Sequence, residues 1–302
     1  LNWGIDYPGS KDHVVYVWFA ALINYVSGVG YSIDGKKFSK YWPADVHMVG
    51  KDILRHHAVY WPIMLKAMGV EMPKTILAHG WWTMAGAKVS KSRGNTVDPV
   101  VLCKKYGVDA FRYFLLREVT LGLDGAFSED LLAERYTSDL ANDLGNLWCR
   151  LVTMLEKYFD GKIPQRSQAF EVDPKEFVNL FREVKSAMLV YDPRTALASI
   201  GSAVSFLNLK IEEKKPWALA KDPSKSGELA GVLGSVAEWV AHVAVLLLAF
   251  MPHTAEQILK RLKLKTKCVI KDEKEFSTPL LKVGTSIERG EALFPRLDEA
   301  KS

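Results

Sequence analysis

The sequence predicts an α/β part with a parallel sheet, followed by an all-α helical bundle. Three observations lead there. Short apolar runs alternate with helical patterns up to about residue 118, strand signals stop after residue 119, and five helical patterns punctuated by prolines follow. Strands alternating with helices argue for a parallel sheet, and consecutive amphipathic helices argue for a bundle.

Residues 14–19 are apolar, β-branched and aromatic and predict a buried strand, with a helix over 20–29. A second strand over 46–49 is ended by Gly50, and a helix is expected over 51–68. A third strand over 75–78 is ended by His79 and Gly80. In such sheets ligands bind beyond the carboxyl ends of the strands. Here those ends carry Trp18, Gly50-Lys51-Asp52 and His79-Gly80-Trp81. Ser128-Glu129-Asp130 reads as a helix start, with Leu140, Leu144, Leu147, Leu151 and Tyr158 on one stripe. Further helices are expected near 173–191, 194–212, 227–251 and 253–262, then an irregular tail packed back on the body.

The chain has 302 residues, 48% hydrophobic and 25% charged, enough core for two domains. Its formal net charge of +5 permits a nucleic-acid partner without requiring one. Cys103, Cys149 and Cys268 stand far apart with no C-x-x-C pair, which argues against a disulfide framework or a cysteine zinc site and fits a reducing compartment. Residues 232–251 are apolar enough to raise a membrane span. Glu238 and His242 inside the run and Pro252 at its end favour a buried bundle helix instead. The sequence opens at Leu1 with no signal peptide, close to an apolar run, and reads as cut through a domain.

Lys88-Val89-Ser90-Lys91-Ser92-Arg93-Gly94-Asn95 concentrates two lysines and two serines in a loop between a strand and a helix. The ammonium groups of Lys88 and Lys91 and the hydroxyls of Ser90 and Ser92 suit a polyphosphate whose charge grows during group transfer. Alone the pattern is weak, since basic surface loops are common. In context it resembles the KMSKS signature of class I aminoacyl-tRNA synthetases, with Val89 in place of Met. His79-Gly80-Trp81 stands where that family has its H-G-[YW] segment. Gly94-Asn95-Thr96-Val97-Asp98-Pro99 and Gly107-Val108-Asp109-Ala110-Phe111-Arg112-Tyr113 also follow the family's run.

Two further segments resemble the methionine members of that family. Val15-Tyr16-Val17-Trp18-Phe19 with Ala21-Leu22-Ile23-Asn24-Tyr25 is similar to their Y-V-W element, and the run from Gly50-Lys51-Asp52-Ile53 to Trp61-Pro62 to their G-K-D-I element. The resemblance implies the second half of a class I Rossmann-type nucleotide-binding domain over 1–118, and an all-α anticodon-binding domain with a C-terminal tail over 119–302. It implies a methionine pocket of Trp18, Tyr25, Ile53, His57 and Trp61, and an ATP site of Gly50, Asp52, His79, Gly80, Lys88 and Lys91. Aromatic walls suit a thioether, and positions 53, 57 and 61, spaced by four, share a helix face. Read without the resemblance, the same aromatics serve equally as plain core, and Asp52 as a helix-start carboxylate. Where the family has Asp the chain has Ala20, which is expected to cost a helix N-cap. No H-I-G-H tetrapeptide and no cysteine knuckle occur, so the expectation is an N-terminally incomplete chain, inactive alone.

In the second half, Asn142, Asn146 and Arg150 stand four apart, and amides and guanidinium groups read base edges in unpaired loops. On an exposed helix such residues are commonly just solvated. The resemblance of the A-N-D-L-G-N-L-W-C-R run implies anticodon reading by Asn146 and Arg150. That of Lys215-Pro216-Trp217-Ala218 implies stacking by Trp217. The implied activity is ATP-dependent ligation of methionine to initiator and elongator methionine tRNA through methionyl-adenylate. ATP and Mg²⁺ are its cofactors, with no protein metal site, no membrane and a cytoplasmic location. Alternatives are a catalytically dead tRNA-binding module or another class I synthetase. Oligomeric state is not legible in the sequence.

Overall fold

The computed structural model describes residues 3–10, 12–84, 87–88, 97–166, 174–265 and 272–297. Packing divides the chain into two compact units. One comprises 1–81 with 122–124, the other 82–121 with 125–302.

The first unit holds helices α1 (Val17–Ser27) and α2 (Gly35–Tyr41), strand β1 (Val46–Gly50), a 3-10 turn (Lys51–Ile53), a π-helical turn (His56–Tyr60), α3 (Trp61–Ala67) and strand β2 (Thr75–His79). β1 and β2 pair in parallel, with Gly50 opposite His79. Along β1 burial alternates, so His47 and Val49 face inward and Met48 outward. Residues 14–19 do not form the expected strand. Val14 makes only an isolated bridge to Asp6, and α1 begins at Val17. A buried strand needs ladder partners, and among the described residues this run finds only that one bridge. In the helix, Leu22 and Val26, four apart, reach full burial beside Trp42, Trp61 and Leu65. The helix therefore wins over β propensity. Ala20 then lies inside the first turn of α1, whose N-cap is Tyr16, so the expected loss of an N-cap at position 20 is corrected.

In the second unit β3 (Trp82–Met84) lies between β4 (Ala87–Lys88), antiparallel, and β5 (Gly125–Ala126), parallel. Around it run α4 (Pro99–Tyr106), α5 (Val108–Glu118), α6 (Glu129–Arg135), a π-helical segment (Tyr136–Gly145) and α7 (Asn146–Phe159). α8 (Pro174–Leu189), α9 (Pro193–Lys214), α10 (Pro216–Leu219), α11 (Ser226–Leu247), α12 (Pro252–Arg261) and α13 (Glu273–Ser277) follow. Residues 82–84 and 97–118 pack here because Trp82 stacks on Phe114 at 5.6 Å and Phe127 closes edge-on against Phe114. The leucine stripe Leu140, Leu144, Leu147 and Leu151 is buried, as its spacing predicts. α11 is long and apolar enough to cross a membrane by composition, and nearly all of it is buried within the bundle. Its Glu238 carboxylate accepts the Leu280 and Leu281 amides and pairs with Arg166, which fastens the tail to the bundle.

Candidate functional site

The aromatic residues singled out in the first unit meet in one cluster. α1 supplies Trp18 and Tyr25, the turns after β1 supply Ile53 and His57, and α3 begins with Trp61. The His57 Nδ1 lies 3.0 Å from the Ile53 carbonyl, and its Nε2 lies 2.9 Å from the Tyr25 hydroxyl. A carbonyl only accepts, so Nδ1 carries the hydrogen toward Ile53 and Nε2 pairs with the Tyr25 hydroxyl. Both ring nitrogens are thus committed, and the imidazole, 1% exposed, has one orientation. Trp18 meets His57 edge-on at 5.8 Å, and Tyr25 lies 6.0 Å from Trp61. Trp61 is fully buried, while Tyr25 remains 38% exposed. The set is therefore a wall with a sealed back and an open front.

Two members of this cluster, Trp42 and His47, were not among the residues that the sequence singled out. Trp42 meets Trp61 edge-on at 6.2 Å, and His47 lies 4.4 Å from Tyr25. Burial, and then the neighbouring His57, hold the His47 imidazole below the usual histidine range. Its Nδ1 and the Trp61 Nε1 are buried without a hydrogen-bond partner among the described residues, so the cluster keeps unspent polar capacity. The inward parity of His47 on β1 was the available signal. His56 stacks on Trp18 at 4.1 Å and meets the Tyr16 hydroxyl at 3.1 Å.

At the carboxyl ends of β1 and β2, Gly50 and His79 stand side by side. A Cβ on Gly50 would lie 2.6 Å from the Asp52 carboxylate oxygen, so the missing side chain lets Asp52 fold back over the strand end. The His79 Nδ1 lies 2.8 Å from the Gly80 carbonyl. Asp124, missed in the sequence, also stands here. It accepts the Trp81 amide at 2.8 Å and the Lys51 ammonium at 2.6 Å. The Lys51 ammonium and the Trp81 amide hold its carboxyl below the usual carboxylate range. The arrangement offers a glycine-walled ledge at parallel strand ends, where nucleotides bind in open α/β sheets. Ser90, Lys91 and Ser92 lie outside the described residues, and Lys88 enters only through its backbone in β4. Among the described residues no group of three or more His, Cys, Asp or Glu is placed to hold a metal ion.

A family profile described as tRNA synthetases class I (M) matches residues 1–152, half of the chain. The chain belongs to the methionyl group of class I tRNA synthetases. The methionine–tRNA ligase of Caldanaerobacter subterraneus subsp. tengcongensis is 47% identical over 100% of the chain and 48% of that protein. That of Halalkalibacterium halodurans is 45% identical over 99% of the chain and 46% of that protein. The chain thus spans about half the length of these curated relatives. Among solved structures, Mycobacterium tuberculosis methionyl-tRNA synthetase in complex with methionyl-adenylate matches with a TM-score of 0.86 at 37% identity. That match covers 98% of this chain and 59% of the other.

For a methionyl class I synthetase chain, the second unit holds the remaining residues of interest. Asn142 and Asn146 are exposed and line a cleft of about 620 Å³ together with Phe294 and Arg296. Arg150, one turn further along α7, pairs with Glu212 at 2.6 Å, and its guanidinium lies 5.8 Å from the Trp217 ring. Trp217 is 40% exposed. Lys215 takes a left-handed conformation at φ 46°, which ends α9 and turns the chain into Pro216 at the start of α10. That break holds the indole at the surface beside Arg150, while Leu219 turns inward.

Proposed function

We propose that the protein containing this chain ligates methionine to methionine tRNA, initiator and elongator alike, in the cytoplasm. ATP first activates the methionine carboxylate as methionyl-adenylate. The observation that carries this reading is the His57-centred cluster of Trp18, Tyr25, Ile53 and Trp61, in the same compact unit as the Gly50–His79 strand ends. Flat, polarisable walls suit a thioether side chain. Membership of the methionyl group, and relatives named methionine–tRNA ligase, support the same substrate.

In this reading residues 1–118 serve as the C-terminal half of the Rossmann-type catalytic domain, and 119–302 as the anticodon-binding domain and tail. Gly50, Asp52, His79 and Gly80 hold the nucleoside of ATP. Lys88 and Lys91, with the Ser90 and Ser92 hydroxyls, neutralise the triphosphate as the methionine carboxylate attacks the α-phosphorus and pyrophosphate leaves. Mg²⁺ arrives bound to the ATP phosphates. Positioning and charge stabilisation carry the step, with little proton transfer. On the RNA side Trp217 stacks on an anticodon base, while Asn142, Asn146 and Arg150 face base edges.

The test has two arms. The protein containing this chain should exchange pyrophosphate into ATP only when methionine is present. Trp217→Ala should raise the KM for methionine tRNA by about 1–3 kcal/mol of lost stacking while exchange stays normal. Exchange driven equally by leucine or valine would sink the substrate assignment. A Trp217→Ala protein with unaltered tRNA KM would sink the RNA assignment.

A further inference from the structure

Asp124 stands 73 residues from Lys51 and 43 from Trp81, yet its carboxylate meets both. Beyond the Gly50–His79 pair the β1–β2 ladder has ended, so no further strand hydrogen bond holds the two chain segments together. Lys51 follows β1 directly, and Trp81 lies two residues beyond β2. The Lys51 Nζ is 2.6 Å from Asp124 and 4.1 Å from the centre of the Trp81 indole. Residues 122–124 also press flat against the His79-Gly80 backbone. A Cβ on Gly80 would lie 2.0 Å from the Leu123 carbonyl oxygen. Only glycine permits that approach, and the approach brings Asp124 within reach.

We propose that Asp124 is a positioning residue for the nucleotide site at the strand ends, clamping Lys51 and the Trp81 backbone so that the ledge is formed before ATP arrives. The inference rests on the nucleotide reading of Gly50, Asp52, His79 and Gly80, and adds a residue outside that set. The carboxylate does not touch the reacting atoms. It sets the direction of the Lys51 ammonium and the course of the backbone against which the nucleoside lies. Lys51 and Asp124 are 35% and 40% exposed, and an ion pair that open contributes little to global stability. A role in placement therefore separates from a role in stability: it appears in ATP binding and leaves the melting midpoint alone.

The experiment compares wild type, Asp124→Asn, Lys51→Met and the double variant in the protein containing this chain. Pyrophosphate exchange is read at varied ATP and varied methionine, alongside thermal midpoints. Losing one charge-assisted hydrogen bond in the clamp should raise the ATP KM about tenfold. The methionine KM and the midpoint should stay near wild type. Because both substitutions open one clamp, the double variant should be no worse than the stronger single. ATP KM values within about twofold of wild type overturn the proposal. So does a fall in midpoint with ATP and methionine constants moving together. If wild type shows no methionine-dependent exchange, the functional reading fails. The clamp is then judged by equilibrium dialysis with labelled ATP, where equal binding by wild type and Asp124→Asn overturns it.

Discussion

His57 shows how much a single residue can set. It is buried, both ring nitrogens are engaged, and one partner is the Tyr25 hydroxyl on a different helix. Tyr25→Phe removes that hydroxyl and leaves Nε2 unpaired in a buried place, at a cost of about 1–3 kcal/mol. If the cluster is a methionine wall, the free imidazole turns and the methionine KM rises while the ATP KM holds. Chemical denaturation and exchange kinetics on the same protein check both parts. A loss of stability with an unchanged methionine KM would leave the aromatics as plain core.

Among the elements, two helical runs depart from α geometry at one candidate residue each, while Trp18, Tyr25, Trp61, Asn146, Arg150 and Trp217 sit in ordinary α-helices. The run after β1 passes through the π turn His56–Tyr60, which holds His57. The run after Ser128 passes through Tyr136–Gly145, which holds Asn142. Single π turns within α-helices, such as His56–Tyr60, are frequent at functional sites, whereas Tyr136–Gly145 runs for ten residues. The spacing-of-four argument still brings Ile53 and His57 together through the imidazole–carbonyl contact. The start of the second run belongs to Ser128, whose hydroxyl accepts the Leu131 amide at 3.1 Å. Ser128→Ala should cost about 1 kcal/mol, within the usual range for a lost N-cap. A lowered denaturation midpoint with unchanged exchange activity is the expected result. Equal stability would mean that packing alone starts this helix.

The whole molecule divides into two packed units, each with its own core, and each buries a histidine whose pKa is lowered. His242 in α11 is 1% exposed. Its Nε2 lies 2.6 Å from the Phe276 carbonyl, its Nδ1 2.9 Å from the Glu238 carbonyl, and the Glu238 carboxylate 3.7 Å away. Burial, the largest influence, holds its pKa below the ordinary value, against the raising effect of Glu238 and with a further lowering by Arg166. A folded pKa below the unfolded one of about 6.5 means that the unfolded chain binds the proton first as pH falls. The contribution is therefore complete above about pH 6.5 and is lost as pH drops through the folded value. His47 in the first unit has the same sign. Urea midpoints should fall between about pH 7 and 5.5, before carboxylates titrate. His242→Gln should flatten that slope. A midpoint independent of pH across this window, or a slope unaltered in the variant, would contradict the assignment.

What the sequence determined by itself was the periodic and the contiguous. The β1 and β2 strands, the leucine stripe from Leu140 to Leu151 and the proline-bounded bundle helices were legible because burial follows a 2.0 or 3.6 repeat. That Trp18, Tyr25, Ile53, His57 and Trp61 meet was legible because they lie in two short family-like runs. Tertiary structure alone decided the rest. Residues 14–19 have the composition of a strand, but with one bridge for a partner they yield to α1, which buries Leu22 and Val26 against Trp42 and Trp61. Residues 82–84 and 97–118 join the helical unit because Trp82, Phe114 and Phe127 pack ring against ring there. Asp124 reaches Lys51 and Trp81 only because Gly80 lets a distant segment lie flat on its backbone. A contact across 73 residues leaves no period in the sequence, since it depends on which distant segment returns to the strand ends and not on local spacing.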